Sequence, residues 1–148
     1  GNRGEGWVIG QFVLGALIFV APPARVLETV GWLRPVGAVL FVVGALLSLL
    51  SAGNLGHNLT PFPKPIAEGQ LVESGMYSIV RHPIYLGVLL AAFGWAFWRR
   101  SLIGIALSLL LFAFFDAKAR HEERWLLEKY PRYSAYQKRV KKLIPWLY

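Results

Sequence analysis

The chain has 148 residues, of which 55% are hydrophobic and 16% are charged, and its formal net charge at pH 7 is +8. Soluble domains carry about a quarter of their residues as Asp, Glu, Lys or Arg, so this composition argues against a soluble globular protein. The sequence contains no cysteine, which excludes disulfides, thiolate catalysis and thiolate metal sites among these residues. The positive charge lies beside apolar runs, which favours a membrane surface over nucleic acid as its partner.

Four apolar runs determine the predicted architecture, and they cover residues 7–21, 35–53, 83–98 and 101–115. Only the second has the roughly 17 to 25 residues of a membrane-spanning helix, so each of the others alone is equally compatible with a buried core helix. None has a polar stripe, and little other sequence is available to bury them. We therefore predict an all-α integral membrane protein, a single domain over residues 1–148. It has about four transmembrane helices, followed by amphipathic cytoplasmic helices at the C-terminus.

The first run has an alternative interpretation as a signal peptide. Arg3 precedes it and the small residues of "APPA" follow it, as in signal sequences. Glu5 weakens the basic start, however, and the segment is present in the chain. We therefore expect 7–21 to be a retained helix.

The distribution of Lys and Arg predicts the orientation. With four spanning helices, twelve of these residues lie on the side that holds both termini and four lie on the other side. Because positive charge concentrates on the cytoplasmic side, we expect both termini and the segments 54–82 and 116–148 to face the cytoplasm, in a prokaryotic inner membrane. The basic sequence "KRVKK" near the C-terminus is predicted to bind anionic membrane lipids. Arg99 and Arg100 are predicted to end the third helix by extending toward the interface.

The two cytoplasmic segments differ in predicted structure. Pro61, Pro63 and Pro65 make the first segment stiff and extended, and its Ser74-Gly75 pair is typical of a turn. Residues 116–130 continue the fourth run as an amphipathic helix, which Pro131 ends. The tail that follows has a second apolar face, formed by Tyr133, Tyr136, Val140, Leu143 and Ile144.

The sequence Arg81-His82-Pro83 lies where the polar segment meets the third run. Proline is favoured at the first position of a helix, so we predict that this helix begins at Pro83 with His82 as its N-cap. The free N–H groups of a helix N-terminus attract anions, and Arg81 and His82 add positive charge. Tyr85 lies on the same side and adds a hydroxyl. These residues form either an anion site or an interfacial belt, and local physics does not decide between them.

A second charged group is His121-Glu122-Glu123. Its carboxylates are either solvated helix charges or, if they face His82, a binding site for an ammonium group. The histidines lack the paired spacing typical of metal ligands, so no metal site is predicted. Together the two groups suggest a ligand with an anion, a cation and an apolar or aromatic part, such as a cofactor that contains an amino acid.

At these residues the sequence resembles the isoprenylcysteine carboxyl methyltransferase family and the related membrane phospholipid methyltransferases. The matching pieces are "LVESGMYSIVRHPIYLG" at 71–87, the Glu122-Glu123 pair, and the tail "YPRYSAYQKRVKKLIP". The resemblance implies a membrane-embedded enzyme that uses S-adenosyl-L-methionine and releases S-adenosyl-L-homocysteine. The implied acceptor is lipophilic and enters from the bilayer, and the carboxylate of an isoprenylcysteine-like molecule is the preferred candidate.

The resemblance also implies roles for individual residues. The cofactor is expected to contact Leu71, Val72, Tyr77, Arg81, His82, Pro83, Tyr85 and Glu122. Family members carry a basic residue before the glutamate pair that orients the acceptor, and Lys118, or alternatively Arg120, matches it. Glu123 is the candidate base if the acceptor is a protonated lipid amine.

Three alternatives remain open at this stage. The first is a phospholipid amine N-methyltransferase. The second is an NADPH-dependent membrane reductase, because membrane sterol and steroid reductases have a similar RHP-x-Y element. NADPH phosphates would require several basic residues, whereas segment 54–82 has only Lys64 and Arg81. The third is a non-enzymatic adaptor that binds membrane lipids through its basic tail and binds no cofactor.

Overall fold

A computed structural model describes residues 4–58 and 71–148. In these ranges the chain forms five α-helices: α1 (Glu5–Val20), α2 (Leu33–Leu55), α3 (Pro83–Trp98), α4 (Leu102–Lys129) and α5 (Tyr133–Arg139). Short 3-10 turns cover Arg25–Leu27, Gly56–Asn58 and Gly75–Ser78. The strand-like pairing found in the described ranges is a parallel bridge between Val80 and Lys141. Five residues on which the sequence predictions depend lie outside the described ranges, namely Arg3, Pro61, Pro63, Lys64 and Pro65.

The helices agree closely with the predicted runs. The ends of α1 and α2 differ from the predictions by at most two residues. α3 begins at Pro83, with His82 as its N-cap, and ends at Trp98 as predicted. α4 continues without a break beyond its apolar part and ends before Pro131. The prediction of an all-helical chain is thus confirmed for the described residues.

The helices suit a membrane to different degrees. By length and composition alone, α2 with 23 residues and α4 with 28 residues are long and apolar enough to cross one. α1 and α3 have 16 residues each, or about 24 Å at 1.5 Å per residue, against a hydrocarbon core of about 30 Å. Many large apolar side chains point outward, such as Phe12 and Leu49, which are 66% and 70% exposed. Outer faces of this kind suit lipid, while the number of spans stays a prediction.

Two pairs of glycines bring α2 and α3 together. Gly37 and Gly44 of α2 face Gly94 and Gly87 of α3, and the two glycines on each helix are seven positions apart in the sequence. A Cβ on Gly44 would lie 2.5 Å from the backbone nitrogen of Ala91, and a Cβ on Gly37 would lie 2.6 Å from the carbonyl oxygen of Gly94. The backbones can approach this closely only because side chains are absent, as is common between membrane helices. This contact determines where the first turn of α3 lies.

α1 packs against α4 and α3 on the other side of the bundle. The buried core there consists of Leu14, Ile18, Leu89, Leu111 and Phe115. At the far end, the Arg99 guanidinium donates two hydrogen bonds to the carbonyl oxygen of Ala21, at 3.1 and 3.2 Å. Arg99 therefore connects the α3–α4 turn to the end of α1, which is a tertiary contact beyond the predicted extension to the interface.

The C-terminal segment folds back over the start of α3. Its anchor is a buried cluster of Tyr133, Tyr136 and Val140. The N–H of Arg81 donates to the carbonyl of Lys141 at 2.7 Å, and the N–H of His82 donates to the carbonyl of Lys142 at 3.0 Å. The tail therefore holds the backbone of the two residues that precede α3.

The basic sequence of the tail is only partly free for lipid headgroups. Arg139 forms an ion pair with Glu73 at 2.7 Å, and Lys142 forms one with Asp116 at 3.0 Å. Lys138 and Lys141 are exposed. Two of the four cations in this sequence thus form ion pairs within the protein. Binding of lipid headgroups by the sequence stays a prediction.

Candidate active site

The two residues that precede α3 meet the C-terminal half of α4 in a buried ion pair. Nε2 of His82 lies 2.7 Å from Oε2 of Glu123, and Nε of Arg81 lies 3.0 Å from the same oxygen. His82 and Glu123 are each 6% exposed. His82 makes no capping hydrogen bond with its side chain, so its position before α3 serves the contact with α4. Of the two possibilities for these residues, the geometry favours a site over an interfacial belt.

Glu123 is held by further donors from α5. The Tyr133 hydroxyl donates to Oε2 at 3.1 Å, and the Gln137 amide donates to Oε1 at 3.3 Å. Burial acts to raise the pKa of Glu123, but the hydrogen bond and charge of His82, together with Arg81 and Tyr133, outweigh it and lower the pKa. Glu123 is therefore a stable carboxylate at neutral pH.

Glu122 has different partners from its neighbour. The Tyr85 hydroxyl donates a hydrogen bond to Oε2 of Glu122. The Tyr85 ring stacks on His82 on one side and on Phe115 on the other, with centroid distances of 5.4 and 4.6 Å. Burial is the largest influence on the pKa of Glu122 and raises it. Because successive residues of an α-helix point about 100° apart, the two glutamates serve two different sides of α4.

Lys118 lies one turn before Glu122, on the same face of α4. Its side chain is buried, with the whole residue 1% exposed, and Nζ lies 5.1 Å from the centroid of the Tyr85 ring. Nζ also donates a hydrogen bond of 2.5 Å to Oε1 of Gln11 on α1. Burial is the main cause of a lowered pKa at Lys118, and the charge of Glu122 opposes it. This cation therefore lies among residues of three helices.

Comparisons with known proteins bear on this arrangement. The sequence model that describes the phospholipid methyltransferase family matches residues 32–133, which is more than half of the chain. The chain belongs to the phospholipid methyltransferase family. The matched region runs from the residue before α2 to the first residue of α5, so it contains both the start of α3 and the glutamate pair.

Curated relatives of this phospholipid methyltransferase family member are longer than the chain. The protein-S-isoprenylcysteine O-methyltransferase of Saccharomyces cerevisiae is 32% identical over 119 residues, which cover 75% of this chain and 48% of the relative. The cobalt-zinc-cadmium resistance protein CzcN of Cupriavidus metallidurans is 33% identical over 141 residues, which cover 95% of this chain and 62% of the relative. The chain thus spans about half to three fifths of these relatives.

A solved structure shares the fold. The eukaryotic intramembrane Ras methyltransferase ICMT superimposes with a TM-score of 0.67 at 23% sequence identity, covering 97% of this chain and 52% of that chain. The resemblance inferred from the motifs is confirmed by these comparisons. The helical arrangement described above is accordingly that of a membrane protein fold.

The structure brings most of the predicted site residues together. Seven of them lie around the facing surfaces of α3 and α4, namely Arg81, His82, Pro83, Tyr85, Lys118, Glu122 and Glu123. Tyr77 is buried, and its carbonyl oxygen accepts a hydrogen bond of 2.5 Å from the Tyr136 hydroxyl. Burial and then the charge of Glu122 raise the pKa of the Tyr77 hydroxyl. Leu71 packs on the cluster of Tyr133, Tyr136 and Val140, and Val72 is half-buried next to it in the chain.

Arg120 does not join the other predicted residues. Its side chain is 65% exposed and pairs with Asp116 at 2.6 Å. Two residues correspond to about 200° around a helix, so Arg120 and Lys118 lie on opposite sides of α4. The geometry therefore supports Lys118, and not Arg120, as the basic residue that faces the site.

Three residues of the site were missed by the sequence analysis as site residues, namely Gln11, Tyr133 and Gln137. Tyr133 and Gln137 share a helix face at the i, i+4 spacing, which is a signal that both contact one partner. Gln11 is the polar side chain within the otherwise apolar stretch 8–20. A polar residue inside a predicted membrane helix is a candidate for function, so this signal was also present in the sequence.

Proposed function

We propose that this protein is an S-adenosyl-L-methionine-dependent membrane methyltransferase with a lipophilic acceptor, by preference the carboxylate of an isoprenylcysteine-like molecule. The observation that carries the proposal is the buried contact of Arg81 and His82 with Glu123, beside the separate contact of Tyr85 with Glu122. Membership in the phospholipid methyltransferase family and the name of the yeast relative support the same chemistry.

The donor set fits the methionine end of the cofactor. That end carries a carboxylate and an ammonium group, which the N-terminus of α3 and the carboxylate of Glu122 complement. Because Glu123 already pairs with Arg81 and His82, its role is to hold these donors in place. Tyr77 offers an aromatic surface for the rest of the molecule. When bound, the cofactor supplies an electrophilic methyl group on a sulfonium.

We assign four further residues to the cofactor, namely Leu71, Val72, Pro83 and Tyr85. Leu71 and Val72 supply apolar surface, since both are half-buried beside the α5 cluster. Pro83 is buried at the first position of α3 and sets the direction of the helix start. Tyr85 holds the Glu122 carboxylate.

The residues on the acceptor side have a positioning task. A carboxylate acceptor is already ionised at pH 7, so its methylation needs no general base. The Lys118 ammonium can attract the carboxylate and orient it. The burial of Lys118, with Tyr85 and Phe115 stacked beside it, limits the access of water to the reacting groups.

A phospholipid amine is the second candidate acceptor, and it would need a base. Glu123 is the candidate base on sequence grounds, but the pKa directions of the two carboxyl groups favour Glu122. Glu123 is bound by His82, Arg81 and Tyr133, which lower its pKa, whereas burial raises the pKa of Glu122. A carboxylate with a raised pKa is the better proton acceptor near neutral pH.

For the membrane arrangement we keep the orientation inferred from charge. Both termini and the segments 54–82 and 116–148 face the cytoplasm of a prokaryotic cell, and the acceptor enters from the bilayer. The continuity of α4 supports this arrangement, because its apolar part leads directly to the residues of the site.

Transfer of labelled methyl groups tests the proposal. The purified chain in lipid nanodiscs is given methyl-labelled S-adenosyl-L-methionine with a prenylcysteine, an amine phospholipid or a native lipid extract. We expect a methyl ester on the prenylcysteine, and its loss in His82→Ala. Glu128→Gln, which changes an exposed carboxylate of α4, serves as the matched control and should retain activity.

The other outcomes separate the alternatives. Product on the amine phospholipid alone would identify an N-methyltransferase. Binding of NADPH without binding of S-adenosyl-L-methionine would identify a reductase. Binding of neither cofactor would overturn the proposal in favour of a lipid-binding adaptor.

A further inference from the structure

Gln11 is a polar side chain on an otherwise apolar helix. It is half-buried, and the stretch 8–20 around it contains no other polar side chain. A polar group in a membrane helix is costly and faces the protein interior or a ligand pathway. Gln11 is oriented inward, where its Oε1 accepts a hydrogen bond from Nζ of Lys118.

We propose that Gln11 is a positioning residue for the acceptor. It holds the ammonium of Lys118 at the α1 side of the site, and the Gln11–Lys118 pair selects acceptors that carry a negative charge. This inference rests on the proposed function, because it assigns a specificity to the acceptor side of the same site.

The position of the Lys118 ammonium depends on the groups that surround it. A lysine ammonium is a point charge with three donors on a flexible stem, so its partners determine its position. Glu122 lies four residues further along the same helix face and attracts it. Gln11 lies on another helix, 107 residues away in the chain, and draws Nζ toward α1. Without Gln11, we expect Nζ to lose its fixed position on the α1 side of the site.

The choice of an amide has an electrostatic consequence. The carbonyl oxygen of Gln11 accepts a hydrogen bond but carries no net charge, so Lys118 keeps its positive charge on the α1 side. A glutamate at this position would hold Nζ in the same place and also neutralise it. The pair therefore attracts a carboxylate, whereas a neutral ester or a protonated amine gains nothing from it.

The contact is separable from the packing of α1. Leu14 and Ile18 supply the buried contacts of α1, at 9% and 3% exposure, and both lie in the core formed with α3 and α4. Gln11 is half-buried, and its side chain contacts Lys118. Its neighbour Phe12 is 66% exposed on the outer, apolar side. A substitution at residue 11 can therefore change the polar contact and leave the helix packed.

Binding of two matched ligands tests this inference without turnover. A farnesylcysteine and its methyl ester differ by one charge, and the affinity of each is measured in nanodiscs in the presence of S-adenosyl-L-homocysteine. We expect wild type to prefer the carboxylate. Gln11→Leu should reduce this preference by about tenfold, the size expected when a hydrogen bond to a charged group is lost. Gln11→Glu should remove it or reverse it.

Two further variants distinguish positioning from a structural effect. In a Lys118→Met background, Gln11→Leu should cause no further change in the preference, because Gln11 acts through Lys118. Leu14→Ala should lower the thermal stability and leave the preference unchanged. Affinity for S-adenosyl-L-homocysteine should stay near the wild-type value in the Gln11 variants.

The results that would overturn the inference are specific. The first is an unchanged preference for the carboxylate over the methyl ester in Gln11→Leu and Gln11→Glu proteins that are folded. The second is a loss of preference on Gln11→Leu that is as large in the Lys118→Met background as in wild type. A wild-type protein that prefers the carboxylate but transfers no methyl group would refute the proposed function alone. Equal binding of the two ligands by wild type would refute the inference, whatever the turnover.

Discussion

Gly44→Ala is expected to separate α2 from α3 and to disturb the site that lies beyond the contact. The new Cβ would lie 2.5 Å from the backbone nitrogen of Ala91, and closer still to the carbonyl oxygen of Gly87. Ordinary contacts of a Cβ begin at 3.4 Å, a difference of 0.9 Å from the Ala91 distance. Both neighbouring atoms belong to the backbone, so no side-chain rotation relieves the overlap, and the helices must move apart.

The magnitude follows from two opposing effects. Overpacking of a tight contact costs about 1 to 3 kcal/mol. Replacing Gly by Ala within a helix contributes about 0.5 to 1 kcal/mol in the opposite direction. We therefore expect Gly44→Ala to be destabilising by about 1 kcal/mol, the difference between the midpoints of these two ranges.

Gly53→Ala is the matched control, because Gly53 lies on the same helix and a Cβ there would meet nothing within 4 Å. The assays are thermal unfolding in detergent and affinity for S-adenosyl-L-homocysteine. Gly44→Ala should lower both, since Gly87 is only one turn from the start of α3, whereas Gly53→Ala should lower neither. Equal stability of the two variants would refute the role assigned to the glycine contact.

Three further predictions concern the polar contacts around the site. Glu123→Gln should lower the stability by about 3 to 5 kcal/mol, the range for breaking a buried ion pair, and should weaken binding of S-adenosyl-L-homocysteine in calorimetry. Because the pKa of Glu123 is lowered from 4.5 in the folded chain, its contribution is present above pH 4.5 and is lost as the pH falls through the folded value. Wild type should therefore lose stability as the pH falls below 4.5, which acid unfolding followed by circular dichroism measures, and Glu123→Gln should show a weaker pH dependence in that range. Lys142→Met should lower the free energy of unfolding by about 1 kcal/mol through loss of the ion pair with Asp116. It should also weaken cofactor binding through the backbone of His82, and Lys142→Arg should restore both properties. An equal effect of Lys138→Met, at an exposed lysine, would contradict this prediction.

The boundaries of α3 could be predicted from the sequence because the signals are local. Pro83 lacks an N–H and has a backbone angle suited to the first turn, so it marks the start within one residue. Arg99 and Arg100 interrupt the apolar pattern and mark the end. The same reasoning identified Pro131 as the end of the long fourth helix.

The choice between Lys118 and Arg120 depended on information that local reasoning had not used. Glu122 shares a face with Lys118 at the i, i+4 spacing, and Asp116 shares the opposite face with Arg120. This pattern separates two faces of α4, but it does not say which face meets α3. That is determined by tertiary contacts such as the one between Tyr85 and Glu122, 37 residues apart. Gln11 stands out in the sequence as a polar residue in an apolar stretch, but its partner Lys118 lies on another helix and is determined by tertiary contacts.

One face of α4 presents three kinds of side chain in an order that matches the proposed reaction. Phe115, Lys118 and Glu122 follow each other at helical spacing, from the apolar part of the helix toward its polar end. The Tyr85 side chain contacts all three, by stacking, by a cation–π contact and by a hydrogen bond. A lipophilic acceptor that enters from the bilayer would meet an apolar surface, then a cation for its carboxylate, and then the carboxylate assigned to the cofactor ammonium. Since Tyr85 lies along this whole line, Tyr85→Leu should impair acceptor and cofactor binding together, whereas Gln11→Leu should impair acceptor binding alone.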